Sequence, residues 1–434
     1  MTSCIRLVQA QAVNAGTPPV DQDIVASSGP YSDRQPVAAL YQTSGCTSTN
    51  SPLANSRYGL GITDGTTQRA YGVSQEDGAN SGNADAQTRH DTATVIQMPQ
   101  STSSALAGEA AWSSWQNGGS RITWADLLED RIINALYFFD CEAKVVDFAG
   151  SSTLNGTASV TGLPFVPDMV VSISHFNAFA ADTGTDDFRS CLGFAVKTPA
   201  GAIQQVCHTK FCNDQNALAT SHAAALHDNA IVAAVDQASD GPLLELTAWN
   251  SDGADITTRR AAISISTALL FLRTRRKLWA GIPSLVTSST GVKAITDPGF
   301  RAASYLCLAT RLATKNTTSR VAAGDGWTHG GFSGFTAEEF FVGGYEADAA
   351  AASVSRAHAS FNVASPILVA ATPTYSWIAN HESLDPNGFS INVGDASLTD
   401  ELAAFVAIGD VRDGWLPEIV RRRHRSVVWG PRGK

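Results

Sequence analysis

The feature that most constrains this chain is an internal repeat of about 135 residues, a period that points to one supersecondary unit copied in tandem. Phe165-Val166-Pro167-Asp168 feeds an alternating segment, Met169 to Ser174. Phe300 leads into a similar segment, Arg301 to Ala309, one period later. A tryptophan strand running into a glycine turn comes next, as Leu246 to Gly253, as Tyr375 to Asn380 with Asp385-Pro386-Asn387-Gly388-Phe389, and as Ala111 to Gly119. Each copy closes on an apolar run: Ile132 to Phe139, Ile265 to Leu272 and Leu402 to Gly409. Arg57-Tyr58-Gly59-Leu60-Gly61-Ile62 parallels Arg189-Ser190-Cys191-Leu192-Gly193-Phe194, and His90-Asp91 parallels His227-Asp228. Landmarks in constant order at a near-constant offset predict three units, 1–140, 141–275 and 276–411, followed by a basic arm, 412–434. The first unit is the most diverged, and its Ser/Thr/Asn/Gly-rich stretch from Thr43 to Asn55 reads as an insertion or long loop.

Within a unit the signals are those of short strands. Val170 to Ser174, Gly193 to Val196, Ala230 to Val235 and Leu244 to Trp249 are β-prone and bounded by turn residues. Pro199-Ala200-Gly201, Ser251-Asp252-Gly253 and Asp385-Pro386-Asn387-Gly388 supply the turns, and Asn387-Gly388 suits a turn with positive φ. About seven or eight strands per unit predict an all-β fold of three tandem antiparallel β-sandwich or jelly-roll-like repeats. Little helix is expected, confined to single turns in Ala217 to Ala225 and Ala347 to Ala352, while Trp124 to Asp130 reads as a helical turn or a short strand link. The joins near Asp140-Cys141-Glu142 and at Arg273-Thr274-Arg275-Arg276-Lys277 are short, so the units should abut in a compact pseudo-threefold or stacked monomer. The second join is also a candidate docking or solvated basic patch.

Composition narrows the function. Only 16% of the 434 residues are charged, which suits a neutral surface or one covered by neighbours in an assembly. A net charge of −10 disfavours nucleic acid as a partner. No apolar run approaches the length of a membrane span, and Met1 to Arg6 lacks the pattern of a signal peptide. Seven cysteines without framework spacing fit synthesis in a reducing cytosol.

The candidate chemical sites read as structural. His90-Asp91 and His227-Asp228 place adjacent side chains on opposite strand faces, where they do not converge. Cys207, His208, Cys212 and His222 lack the C-x-x-C knuckle of a zinc site. Asp182, Asp186 and Asp187 beside Gly184 form an acidic loop without the ordered ligand ladder of a calcium site. Gly330-Gly331 and Gly343-Gly344 lack the Lys-Ser/Thr of a phosphate loop. Trp112, Trp115, Trp249 and Trp377 are expected to anchor the cores rather than line a sugar site. No catalytic residue, metal ligand or cofactor is expected. The one candidate functional cluster is the tail, where Arg421, Arg422, Arg423 and Arg425, with Trp429 nearby, would dock on an acidic neighbour through fork-shaped guanidinium contacts.

The recurring pieces resemble repeats of phage virion structural proteins, mainly tail-associated ones. Those pieces are Phe165 to Asp168, Gly193 to Ala195, Gln204-Gln205 with Gln68, Asp228 to Val232, Asn387 to Phe389 and Ala407 to Gly409. The likeness runs from about Ala38 to Asp410 at the level of the repeat. It implies a non-enzymatic virion component, made in the host cytoplasm, that assembles as a homo-oligomer in a tail or appendage. Its partners would be other virion proteins and copies of itself. The alternatives are a capsid-decorating or head-fibre protein and a module that binds host-surface glycan.

Overall fold

The computed structural model describes residues 4–411 except for 13–17, 27, 30, 48–52, 77–85, 101–104, 129–130, 177–178, 181–182, 213–221, 237–238, 261–264, 286–287, 321–324, 335–337, 348–353, 361–364, 369–374 and 396–400. The described residues form 33 strands and no helix. Where described, the end of Ala217 to Ala225 is strand rather than helical turn, in His222–His227, and the strand alternative holds for Trp124 to Leu127, in Gly119–Leu127. Every strand pair is antiparallel, and the strands make six sheets, three of seven strands and three of four.

The first seven-stranded sheet runs Ile5–Ala12, Arg131–Phe138, Ala38–Ser44, Ser56–Thr63, Gln68–Gln75, Gln87–Asp91. Its four-stranded partner runs Val20–Val25, Gly119–Leu127, Leu106–Gln116, Ile96–Pro99. The other two pairs follow the same order, their first strands opening at Glu142 and Arg276. The closing apolar runs become Arg131–Phe138, Ser266–Arg273 and Leu402–Val411, each second in its large sheet, so each is flanked on both sides by strands from the start of its unit.

The seventh strand of each large sheet comes from another unit. Thr183–Asp186 of the second unit pairs with Gln87–Asp91 of the first. Thr318–Arg320 of the third pairs with His222–His227 of the second. Leu53–Ala54 of the first pairs with Val354–Ser360 of the third. The exchange is cyclic, so three arms close the chain into a ring. In chain order the first two arms, Leu53–Ala54 and Thr183–Asp186, join their own sheets through a single left-handed residue, Asn55 (φ 67°) and Asp187 (φ 89°). Asn and Asp tolerate that region better than other residues with a Cβ. Two readings from sequence change here. The stretch ending at Asn55 contains the first arm, and Gly184 lies in the second arm rather than in an acidic loop.

Alternation explains where the cores lie. In Ser56–Thr63, Tyr58, Leu60 and Ile62 join a large cluster that all three units share. Gly59 and Gly61, on the other face, meet backbone at Gln97, in the small sheet, and at Val95, just before its strand Ile96–Pro99. The large sheets are therefore buried on both faces, which is why their strands read as continuous apolar runs. Among the described residues no side chain of a small sheet belongs to the shared cluster; each small sheet covers the outer face of one large sheet over a cluster of its own. The units thus do more than abut, because three sheets bury one face each in a common centre.

The joins are sewn into the body. Asp140 (φ 55°) and Arg275 (φ 59°) turn the chain at equivalent points of successive units. The Asp168 carboxylate accepts the Thr274 and Arg275 amides at 2.7 and 2.9 Å. Glu142 accepts Arg273 at 2.9 Å and Arg275 at 3.1 Å. The basic run is therefore tied to its own units through Asp168 and Glu142, with Arg276 buried and the Arg273 and Arg275 side chains partly exposed.

Candidate functional site

The side chains with the most chemistry meet where the units meet. Tyr58 comes from the first unit, His329 from the third and His208 from the second. Tyr58 Oη lies 2.6 Å from His329 Nδ1, and His329 Nε2 lies 3.0 Å from His208 Nδ1. Trp327 closes the cluster, its ring 4.7 Å from that of Tyr58 at a steep angle and 6.2 Å from that of His208 at a shallow one. All four residues are 2% exposed or less. Alternation aims them inward: Tyr58 is in phase with Leu60 and Ile62, His208 with Val206, and His329 with Trp327.

A chain of two such bonds always leaves one end unsatisfied. If Tyr58 donates to His329 and His329 to His208, then His208 Nε2 carries a proton with no acceptor. If the bonds run the other way, His208 Nε2 is a bare lone pair and the tyrosine proton is left over. His208 Nε2 has no hydrogen-bond partner among the described residues. Burial, with Lys210 two residues along the strand, lowers the pKa of His208 to about 3. Burial, with His208 beside it, holds His329 well below the ordinary histidine range. His222, across the strand pair, is lowered to about 3 by burial and Lys210. The relay is therefore neutral at pH 7, and it ties three units together in a place closed to solvent.

A second seam joins the first and second units. His90 stacks on His175 with ring centroids 3.9 Å apart, and Phe179 stands edge-on to His175 at 4.6 Å. Tyr71 Oη donates to the Cys191 carbonyl at 3.2 Å and lies 2.9 Å from Ser190 Oγ. Nearer the surface Arg69 reaches Asp147 at 2.7 Å, and Asp64 accepts the Val145 amide at 2.9 Å. The third unit meets the first through Ser355, whose hydroxyl accepts the Ser56 amide at 2.7 Å and donates to the Gln75 carbonyl at 2.6 Å.

Most residues singled out from sequence are separated by the fold. His90 is in the seam, while the Asp91 carboxylate accepts the Thr92 amide. Asp228 is held by Lys315 and Asn316 of the third unit. Cys207 belongs to the second sandwich, its neighbour His208 faces the seam, and Cys212 sits opposite His222 on paired strands. No group of three metal-ligating side chains occurs among the described residues. Asp187 pairs with Arg189 at 2.9 Å. The two Gly-Gly pairs lie within the paired strands Asp325–Ser333 and Glu338–Ala347. Trp112, Trp115 and Trp249 are only half-buried, on the flanks of their sandwiches, because small residues such as Ala107 and Ala110 fill the inward positions of the first of these strands. The Trp377 side chain lies outside the described residues, as do Asp182 and the whole docking set Arg421, Arg422, Arg423, Arg425 and Trp429.

Sequence reasoning missed Tyr58, His175, Lys210, Trp327 and His329. The only signal was polar side chains in phase with apolar ones on strands buried on both sides.

Two open clefts of about 550 and 560 Å³ mark the first and second joins. Each is formed by a strand turn of one unit, at Asp64 or Pro199, against the first strand of the next. Phe165 lines one and Phe300 the other, at equivalent positions. No protein-family model and no curated protein matches the chain.

Proposed function

We propose that this chain is a non-enzymatic structural component of a phage-like virion, sited in a tail or appendage and assembling there as a homo-oligomer. The observation that carries the reading is the ring closed by cyclic exchange of arms. Closure joins three sandwiches into one body and directs three similar small sheets away from the shared centre. A body with such pseudo-threefold connectivity offers repeated faces to neighbours, and symmetry then multiplies weak contacts. The buried histidines and tyrosines support the same reading, since their hydrogen bonds are spent on holding units together. In this reading the tail residues Arg421, Arg422, Arg423, Arg425 and Trp429 dock on an acidic face of a neighbouring virion protein or another copy.

Mass spectrometry of purified particles should find the chain, and electron microscopy of particles carrying a tagged version should locate it. Particles that lack the protein sink the proposal. A head-fibre or capsid-decorating role differs only in address, and the same images separate it. The two join clefts favour a second reading, host-glycan binding, because their volumes fall in the range of small-ligand sites. A glycan array probed with the soluble chain distinguishes it from a purely mechanical role.

A further inference from the structure

We propose that acid opens this ring from its centre: protonation of the Tyr58–His329–His208 chain parts the three units at their common seam while the first outer sheet stays folded. The geometry supplies both the proton acceptor and the consequence. When the relay runs from His208 toward Tyr58, His208 Nε2 is a buried lone pair without a partner. A proton there creates a cation whose partners across the two flanking strands are Leu192 and Leu226, both in the shared cluster. Burying an unpaired charge in such surroundings is costly enough that the structure yields before the charge is tolerated.

The groups that face the relay do not offset that charge. Lys210 lies on the same strand as His208, and Tyr71 and Cys191 act on Tyr58 from two further strands. Lys210 lowers the pKa of His208 further, and no carboxylate among the described residues shifts either relay histidine. The stacked pair His90 and His175 lies between the first and second units with Arg189 facing it, so a second proton adds to the same opening. The four strands of the first outer sheet contain no histidine at all.

Hydrogen exchange of the full chain between pH 7 and pH 4 tests this. Protection should fall at least about tenfold in Ser56–Thr63, Ile203–Cys212 and Asp325–Ser333 before it falls in Leu106–Gln116 and Gly119–Leu127. Loss of protection in all five strands at one pH overturns the proposal. In the double variant His208→Gln and His329→Gln, which keeps hydrogen-bonding side chains that do not titrate, the opening midpoint should move down by about one pH unit. His358, packed against Phe341 and lowered to about 4 by burial, lies outside the relay, and His358→Gln should move the midpoint by less than the double variant does. An unmoved midpoint in the double variant also counts against the proposal. If that variant does not fold, the order of opening in the unaltered chain decides.

Discussion

A methyl group added at Gly253 would lie 1.9 Å from the carbonyl oxygen of Val160, and one at Gly388 would lie 1.8 Å from that of Ile295. Gly119 is in the same position against Ile24, at 2.0 Å. Gly119 and Gly253 open the equivalent strand of their small sheets and Gly388 immediately precedes it in the third, and what these glycines provide is room for a neighbouring backbone. Gly388 is not at positive φ, so the turn geometry expected from Asn387-Gly388 is not what requires it. Gly253→Ala or Gly388→Ala should cost about 1–3 kcal/mol through overpacking against backbone that has little freedom to retreat. Gly394→Ala, with nothing within 4 Å of the added methyl, should fall within about 0.5 kcal/mol of the parent. Urea unfolding of the three variants measures both. At the relay, Tyr58→Phe leaves His329 Nδ1 buried without a partner and should cost about 1–3 kcal/mol by the same assay.

At the scale of the element, the arms are short: four, three and two residues. Their backbone bonds complete sheets whose last strands would otherwise present open edges. Replacing Thr183–Asp186 by a Gly-Ser segment of equal length should unprotect the amides of Gln87–Asp91 on that edge. Exchange in Asp240–Asn250, in the outer sheet of the second unit, should not change. Unaltered exchange in Gln87–Asp91 would mean that the arm contributes nothing to the edge it covers.

At the scale of the whole molecule, shared burial makes the units interdependent. Val171, Ile173, Leu192, Phe194, Val206 and Leu270 of the second unit face the common centre and are fully buried. Uncovering a side chain of this kind costs about 1.5–3 kcal/mol, so six of them represent roughly 10–20 kcal/mol, more than the stability of most domains. Residues 141–275 expressed alone should therefore self-associate or aggregate, and a well-dispersed monomer by light scattering would contradict the shared centre. Acid acts on the whole body too. The folded-state pKa values of His208 and His222 are lowered to about 3, against about 6.5 in the unfolded chain. The unfolded state binds the extra protons, so stability is intact above about pH 6.5 and falls as pH drops toward 3. Each such group gives about 1.4 kcal/mol per pH unit through that window, and the other buried histidines whose pKa is lowered, His329 and His175 among them, steepen the slope further. Denaturation series at pH 7, 6 and 5 should show it, and His222→Gln should lower the slope by about 1.4 kcal/mol per pH unit.

The sequence by itself determined the strands, their class and the landmarks that recur in the same order in each unit. Local alternation, turn residues and closing apolar runs such as Ile265 to Leu272 act over a few neighbours, and a linear reading captures them. It could not show that Leu53–Ala54, in the first unit, completes a sheet of the third, because so short an arm leaves no pattern of its own. Nor could it show that Tyr58, His208 and His329 meet. On strands buried on both faces, periodicity tells which residues share a face, while only the packing of three sheets decides what that face touches.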